Sequence, residues 1–343
     1  MKFMVKVFVF LIVVGFVMIG VAFLGGMDAS RLTNTFNQSE AYGDPMHYTQ
    51  SGTLNTLMLD VTVKHIEMFF SETEELKVTY YSHTDDTWEF TQDLGVLTIK
   101  QTQKMKPFFG FNFGFVDRYL LTVTIEIPQD WIMNYEIRTH TGDIQLFGAG
   151  VTSLNPFTAG TIDLETDTGN IEIKDLSAPS VELKTDTGDI ALLNLLVMEG
   201  LTANSSTGVI HLEDSSITDV IVNGSTGRVE IENLDVSSLD IDADTSRVNI
   251  IDTIVDSMIK VRISTGKIYL DQTSAQIYDL KTNTGDIEVS LDSIDSIKFD
   301  LNAGVGKITI DGINQGDRHV TTTGTIDLIA ETDTGNIYIN VRD

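Results

Sequence analysis

From residue 139 onward the chain repeats a unit of about nineteen residues, and this period limits the possible folds more than any other feature of the sequence. The unit reads Thr-x-Thr-Gly-x-Ile-x-Leu, as in Thr166-Asp167-Thr168-Gly169-Asn170-Ile171-Glu172-Ile173 and again in Thr185-Asp186-Thr187-Gly188-Asp189-Ile190. Related copies centre on Gly142, Gly208, Gly227, Ser246, Gly266, Gly285, Gly306, Gly324 and Gly335. From Gly169 the successive steps are 19, 20, 19, 19, 20, 19, 21, 18 and 11 residues. A unit this short cannot bury its own apolar face, so the period signals a stacked solenoid.

Within the unit, the second and fourth residues after each glycine are apolar: Ile171/Ile173, Ile190/Leu192, Ile210/Leu212, Val229/Ile231, Ile268/Leu270. The residues between them are mostly polar, which is the period-two pattern of a strand with one buried face. A second alternating set lies seven and five residues before the glycine, as in Val181/Leu183 and Leu239/Ile241. The inward parity changes across the glycine, so the Thr-Gly pair is a corner. A looser return follows, marked by Leu176, Leu195 or Leu234. The predicted fold is all-β, a parallel β-helix or solenoid of coils of 19–20 residues, stacked in sequence order and preceded by one transmembrane helix.

That helix is read from Val7 to Leu24, a run without a charge that Gly25, Gly26 and Met27 extend. Twenty-one residues span about 30 Å as an α-helix, the thickness of a hydrocarbon core. Lys2 and Lys6 precede the run and Asp28 follows it, which orients the N-terminus inward and the rest outside the cytoplasm. The expected organisation is an uncleaved signal anchor over 1–27, a polar tether over 28–50, and a solenoid domain over 51–343. In that domain residues 51–135 form the N-terminal coils and cap, and 136–343 the regular repeats. Localisation follows as the cell membrane, single-pass, with the domain extracytoplasmic.

The segment Leu121 to Pro128, then Trp131, then Tyr135-Glu136-Ile137-Arg138-Thr139-His140-Thr141-Gly142-Asp143-Ile144, carries a family resemblance. It resembles the entry strand and first coil of the bacterial envelope solenoids called toastrack domains or "putative adhesins", and the likeness extends over about residues 53–343. Ser246 in place of a corner glycine, and Val305 in place of threonine before Gly306, depart from the pattern. The resemblance implies a cell-envelope location, often beside envelope-stress regulators, and no established enzymatic activity.

Fifty acidic against 22 basic side chains give a net charge of −28, which opposes binding to nucleic acid. Cysteine is absent, removing thiolate metal sites and thiol nucleophiles. The six histidines never fall at metal-ligand spacing, and no nucleophile-elbow, phosphate-loop or zincin motif is present. No metal, cofactor or catalytic residue is assigned. The leading function is a membrane-anchored binding or scaffold module of the envelope. The alternative is a carbohydrate-active β-helix enzyme, a polysaccharide lyase or hydrolase.

Two constellations are candidate ligand sites. Arg228, Arg247 and Lys267 each follow a corner and are expected to stack on consecutive coils, either as local charge balance or as a site for an anionic envelope polymer. Phe108, Phe109, Phe111 and Phe113 crowd one segment beside Lys104 and Lys106, either as an apolar lid on the solenoid's end or as a wedge for lipid or a partner. Expected partners are therefore the cell membrane, through the N-terminal helix, and an envelope glycan or protein. Weak self-association through an exposed final coil is also expected.

Overall fold

The computed structural model describes residues 41–103, 116–148 and 159–342. The predicted anchor and the four phenylalanines lie outside these residues. Among those described, no helix is long and apolar enough to cross a membrane.

The described strands join into one 22-stranded sheet that closes into coils. Each regular coil has three faces. The first precedes the Thr-Gly corner: Ile162–Thr168 stacks in parallel on Asn134–Thr141, with Leu164 beside Ile137. The second follows the corner, where Ile171 and Ile173 lie beside Ile144 and Leu146, and Ile190 and Leu192 beside Ile171 and Ile173. These six side chains are at most 1% exposed, as the alternation predicts. The third face is short: Leu176 to Ala178 lies beside Leu195 to Val197, and a register shift before Ser180 returns the chain to the first face.

The Thr-x-Thr-Gly motif has a physical reading. A Cβ on Gly188 would sit 1.9 Å from the Gly169 carbonyl oxygen at φ +156°, so this close approach excludes a side chain. At several corners the residue three before the glycine is a threonine that points inward and satisfies that crowded carbonyl: Thr185 Oγ1 donates to Gly169 O, and Thr166 Oγ1 to Gly142 O, both at 3.0 Å. After the glycine, an Asn or Asp side chain accepts from the next corner's N–H, as Asp143 does from Asn170 and Asn170 from Asp189. Ser246 keeps its corner without a positive φ, its hydroxyl donating to Gly227 O at 3.3 Å.

The return after the second face is tighter than the sequence suggested. Asp175, Asn194, Asp214, Asn233, Asp252 and Gln272 all take positive φ, between 49° and 56°, and form a second corner. Asn and Asp tolerate this left-handed geometry better than other side chains. Along the corner, Asn194 Nδ2 donates to Asp175 Oδ1 at 2.6 Å, and Asn233 to Asp214 at 2.5 Å.

Sequential stacking fails at the C-terminal end. Ile326–Thr334 lies in parallel between Ile277–Thr284 and Ile297–Val305, and Ile337–Val341 lies between Ile287–Leu291 and Ile308–Ile310. The last coil is thus inserted between those of Gly285 and Gly306. Gly324 is not a Thr-Gly corner. It stands before Ile326–Thr334, against the backbone of Ile297 and Lys298, and the corner of this coil is Gly335. Self-association through an exposed last coil loses its geometric basis, because that coil is interior. The rod's end is closed instead by antiparallel pairing of Ile313–Gly316 with Ile308–Ile310 and of Arg318–Val320 with Ile297–Val305.

The N-terminal end is built the same way. Thr56–Val63 lies between Asn134–Thr141 and Val96–Gln103, and His65–Ser71 between Ile144–Phe147 and Thr122–Pro128. Antiparallel strands then close the end: Asp86–Asp93 on Val96–Gln103, Leu76–Tyr80 on Thr122–Pro128, and Met46–Gln50 on Leu76–Tyr80. The tether expected to reach residue 50 therefore gives way to strand at Met46.

Candidate functional site

The structure stacks Arg228, Arg247 and Lys267 on consecutive coils, but they do not present a uniform cationic strip. Arg228 pairs with Glu230 of its own coil at 3.1 Å, and Lys267 with Glu288 of the next. Arg247 is exposed and makes no ion pair among the described residues. Glu230 also lies 3.6 Å from His211, so acidic side chains interleave with the cations. Charge balance accounts for most of this ladder.

Across the corner, on the first face, Lys184, Asn204, Asn223 and Asp242 form one outward row and Asp186, Ser206, Ser225 and Asp244 another. They border a polar groove of about 260 Å³. Asn223 Nδ2 donates to Asn204 Oδ1 at 2.8 Å, tying two coils together. The three carboxylates in this groove are exposed.

The most built concavity lies on the second face at the N-terminal end, about 470 Å³, bordered by Glu67, Thr79, Tyr81, Arg118, Tyr119, Thr122 and Thr124. Its floor follows from strand register. Glu67 lies beside Thr124, and Thr124 beside Thr79, so three outward side chains form a row across three strands. His47 continues the row, its Nδ1 3.0 Å from Thr79 Oγ1. One wall is aromatic: Tyr81 and Tyr119 meet edge to face at 5.4 Å, and Tyr119 is 57% exposed. The other wall is Arg118, whose guanidinium reaches Asp143 Oδ2 at 3.0 Å. Asp143 in turn donates its backbone N–H to His65 Nδ1 at 3.1 Å, with its carboxylate beside the same ring. Burial, with Arg118 nearby, lowers the His65 pKa despite Asp143. Glu67 makes no hydrogen bond or ion pair among the described residues.

Behind this groove lies a buried charge. Lys64 occupies the corner position that is glycine in later coils, and is 2% exposed. Its Nζ donates to Tyr81 O at 3.0 Å, lies 3.6 Å from Asp86 Oδ2, and faces the rings of Tyr42 and Trp88 at 5.0 and 5.8 Å. Burial pulls the Lys64 pKa down against the opposing pull of Asp86. Asp86 also accepts from His83 N at 2.9 Å and Gln101 Nε2 at 3.0 Å, so the pair is fully hydrogen-bonded. Among the described residues no group of three or more His, Cys, Asp or Glu is placed to hold a metal ion.

Sequence reasoning did not find this groove. Its residues come from four segments, and no local pattern links Glu67 to Thr79, Tyr119 or Thr124.

Three solved structures align over most of the chain at low identity. A "putative adhesin" from Bacteroides fragilis aligns at 12% identity over 86% of this chain and 97% of its own, with a TM-score of 0.35. A "putative lipid binding protein" from Parabacteroides distasonis aligns at 12% over 86% and 97%, with a TM-score of 0.42. A "putative cell adhesion protein" from Clostridium sporogenes aligns at 13% over 87% and 100%, with a TM-score of 0.21. No curated protein matches the sequence. The Toastrack DUF4097 family matches twice, over residues 54–199 and 188–340, and together these spans cover nearly every coil described above. The chain belongs to the Toastrack DUF4097 family.

Proposed function

We propose that this chain is a membrane-tethered, extracytoplasmic β-solenoid that serves as a binding and scaffold module of the cell envelope. The observation that carries the reading is the N-terminal groove, a shaped concavity with an exposed aromatic ring and a carboxylate that has no partner among the described residues, set where parallel and antiparallel strands of one sheet meet. A rigid array of this kind positions side chains for recognition. Anchoring rests on the uncharged run Val7 to Leu24 and the lysines before it.

Catalysis is the weaker reading. Asp186, Asp242 and Asp244 are exposed carboxylates bordering an open polar groove rather than an enclosed cleft that would hold a substrate away from water. The test is fractionation of cells expressing the full chain. Carbonate-resistant membrane association, with the solenoid accessible to protease from outside, and retention of isolated envelope material by the purified full chain are the expected results. A soluble, cytoplasmic product, or turnover of wall glycans lost with one carboxylate, would overturn the proposal.

A further inference from the structure

The groove at the N-terminal end carries enough chemistry to name a ligand class. Its volume of about 470 Å³ falls within the roughly 300–1,000 Å³ of ordinary small-molecule sites. The floor is a row of hydroxyl and carboxylate groups: Glu67 as an unengaged acceptor, then the hydroxyls of Thr124 and Thr79, each able to donate and accept. Beside this row stands Tyr119, an exposed ring whose face can cover the C–H side of a small ring molecule. Tyr81 holds that ring edge-on from behind, so it is placed before any ligand arrives.

Charge narrows the class. Arg118 supplies one positive charge, but Asp143 already holds it, and Glu67 leaves the groove negative on balance. His65 adds no compensating proton at neutral pH, its pKa being lowered. An anion would meet Glu67 on the floor, while a strong cation would meet Arg118 on the rim. A neutral molecule with many hydroxyls and an apolar ring face satisfies both walls and the floor.

We infer that this groove binds a neutral pyranose, with Tyr119 as the stacking platform, Glu67 and Thr124 as hydroxyl partners, and Arg118 as a rim donor locked by Asp143. The inference rests on the reading of the chain as a binding module and assigns that module a ligand class. It separates the site from the Arg228–Lys267 ladder, whose Tyr269 ring already faces the Lys267 ammonium at 5.2 Å.

The experiment is saturation-transfer NMR on the detergent-solubilised full chain. The probes are glucose, galactose, mannose, N-acetylglucosamine and their β-linked disaccharides at millimolar concentration, with inorganic sulfate as competitor. Expected is transfer to at least one sugar, reduced fivefold or more by Tyr119→Ala and by Glu67→Gln, unaffected by Arg247→Ala, and not displaced by sulfate. Tyr119 is exposed and Glu67→Gln preserves shape, so unchanged melting temperatures would show both variants folded. No transfer from any probe, transfer indifferent to both variants, or displacement by sulfate would each overturn the inference. Retention of envelope material by Tyr119→Ala would sink this site while leaving the binding-module reading intact.

Discussion

The inserted C-terminal coil can be tested with a pair of engineered cross-links, because the chain contains no cysteine to interfere. On the first face, Lys281 lies beside Glu331, and Glu331 beside Asn302. Neighbouring strands are about 4.8 Å apart, so the Lys281 and Glu331 Cα atoms lie inside the disulfide window of about 4.4–6.8 Å. Lys281 and Asn302 are two spacings apart, about 9.6 Å, beyond the limit of about 7 Å. Side-chain direction is favourable too, since Lys281 Nζ meets Glu331 Oε2 at 2.9 Å. Lys281→Cys with Glu331→Cys should therefore oxidise readily within one chain. Closing a loop of 50 residues should add up to about 4 kcal/mol of stability by the chain-entropy estimate. Lys281→Cys with Asn302→Cys should stay reduced. Non-reducing electrophoresis and peptide mass spectrometry read the outcome, and melting in oxidised and reduced form reads the stability. If the 281/302 pair closes and the 281/331 pair does not, the coils stack in sequence order and the insertion is wrong. If the 281/331 bridge forms only between chains, the inserted coil comes from a second copy.

Three further tests address the corners, the buried pair and a buried phenol. Gly188→Ala should cost about 3–5 kcal/mol from positive φ and a blocked carbonyl, whereas Gly200→Ala, with its nearest contact at 3.6 Å, should stay within about 0.5 kcal/mol in chemical denaturation. Lys64→Met should cost about 3–5 kcal/mol by stranding Asp86, and Lys64→Met with Asp86→Leu should recover most of it. A double variant no better than the single one would show that the pair is not coupled. Burial pushes the Tyr278 hydroxyl up to about 12, so the folded state holds its proton longer than the unfolded chain does. That stability is full below about pH 10 and falls by about 2–3 kcal/mol as pH rises to about 12. Tyr278→Phe should be less stable at neutral pH, losing its bonds to Thr273 O and Ala275 N, yet show a flatter alkaline decline; an unchanged slope would refute the assignment.

The sequence makes the cross-section of the coil readable but leaves its stacking order open. Parity is local: Ile171 and Ile173 must face the same way, and period-two alternation says so without any knowledge of neighbours. The second corner was equally visible, since an Asn, Asp or Gln stands six residues after Gly169, Gly188, Gly208, Gly227, Ser246 and Gly266. The leucines beside it, Leu176, Leu195 and Leu234, mimic a loose return and mask it. Stacking order is different. Each coil offers nearly the same Val, Ile and Leu rows to both sides, so the apolar pattern of Leu328 and Ala330 fits beside Leu280 or Leu301 alike. The candidate groove was illegible for a related reason. It exists only because Leu76–Tyr80 and Thr122–Pro128 meet across an antiparallel edge.

One residue does mark the order, at the other end. Each corner's missing Cβ points at the carbonyl of the coil on its N-terminal side: Gly169 at Gly142, Gly142 at Lys64, Gly335 at Gly285, and Gly306 at Gly335. Glycine therefore fills nearly every corner that has another corner on that side, and Ser246, beside Gly227, holds its place only by avoiding a positive φ. Lys64 has no such neighbour among the described residues, because the two strands beyond it, Val96–Gln103 and Thr122–Pro128, are separated by eighteen residues of chain. A side chain is admitted there, and lysine occupies the space beneath Tyr42 and Trp88. The loss of glycine at that corner and the groove thus share one cause, the replacement of a regular coil by antiparallel strands at this end. Met46–Gln50 is the outermost strand of that end. The geometry that opens the groove therefore also places it at the end of the rod where Met46–Gln50 joins the sheet.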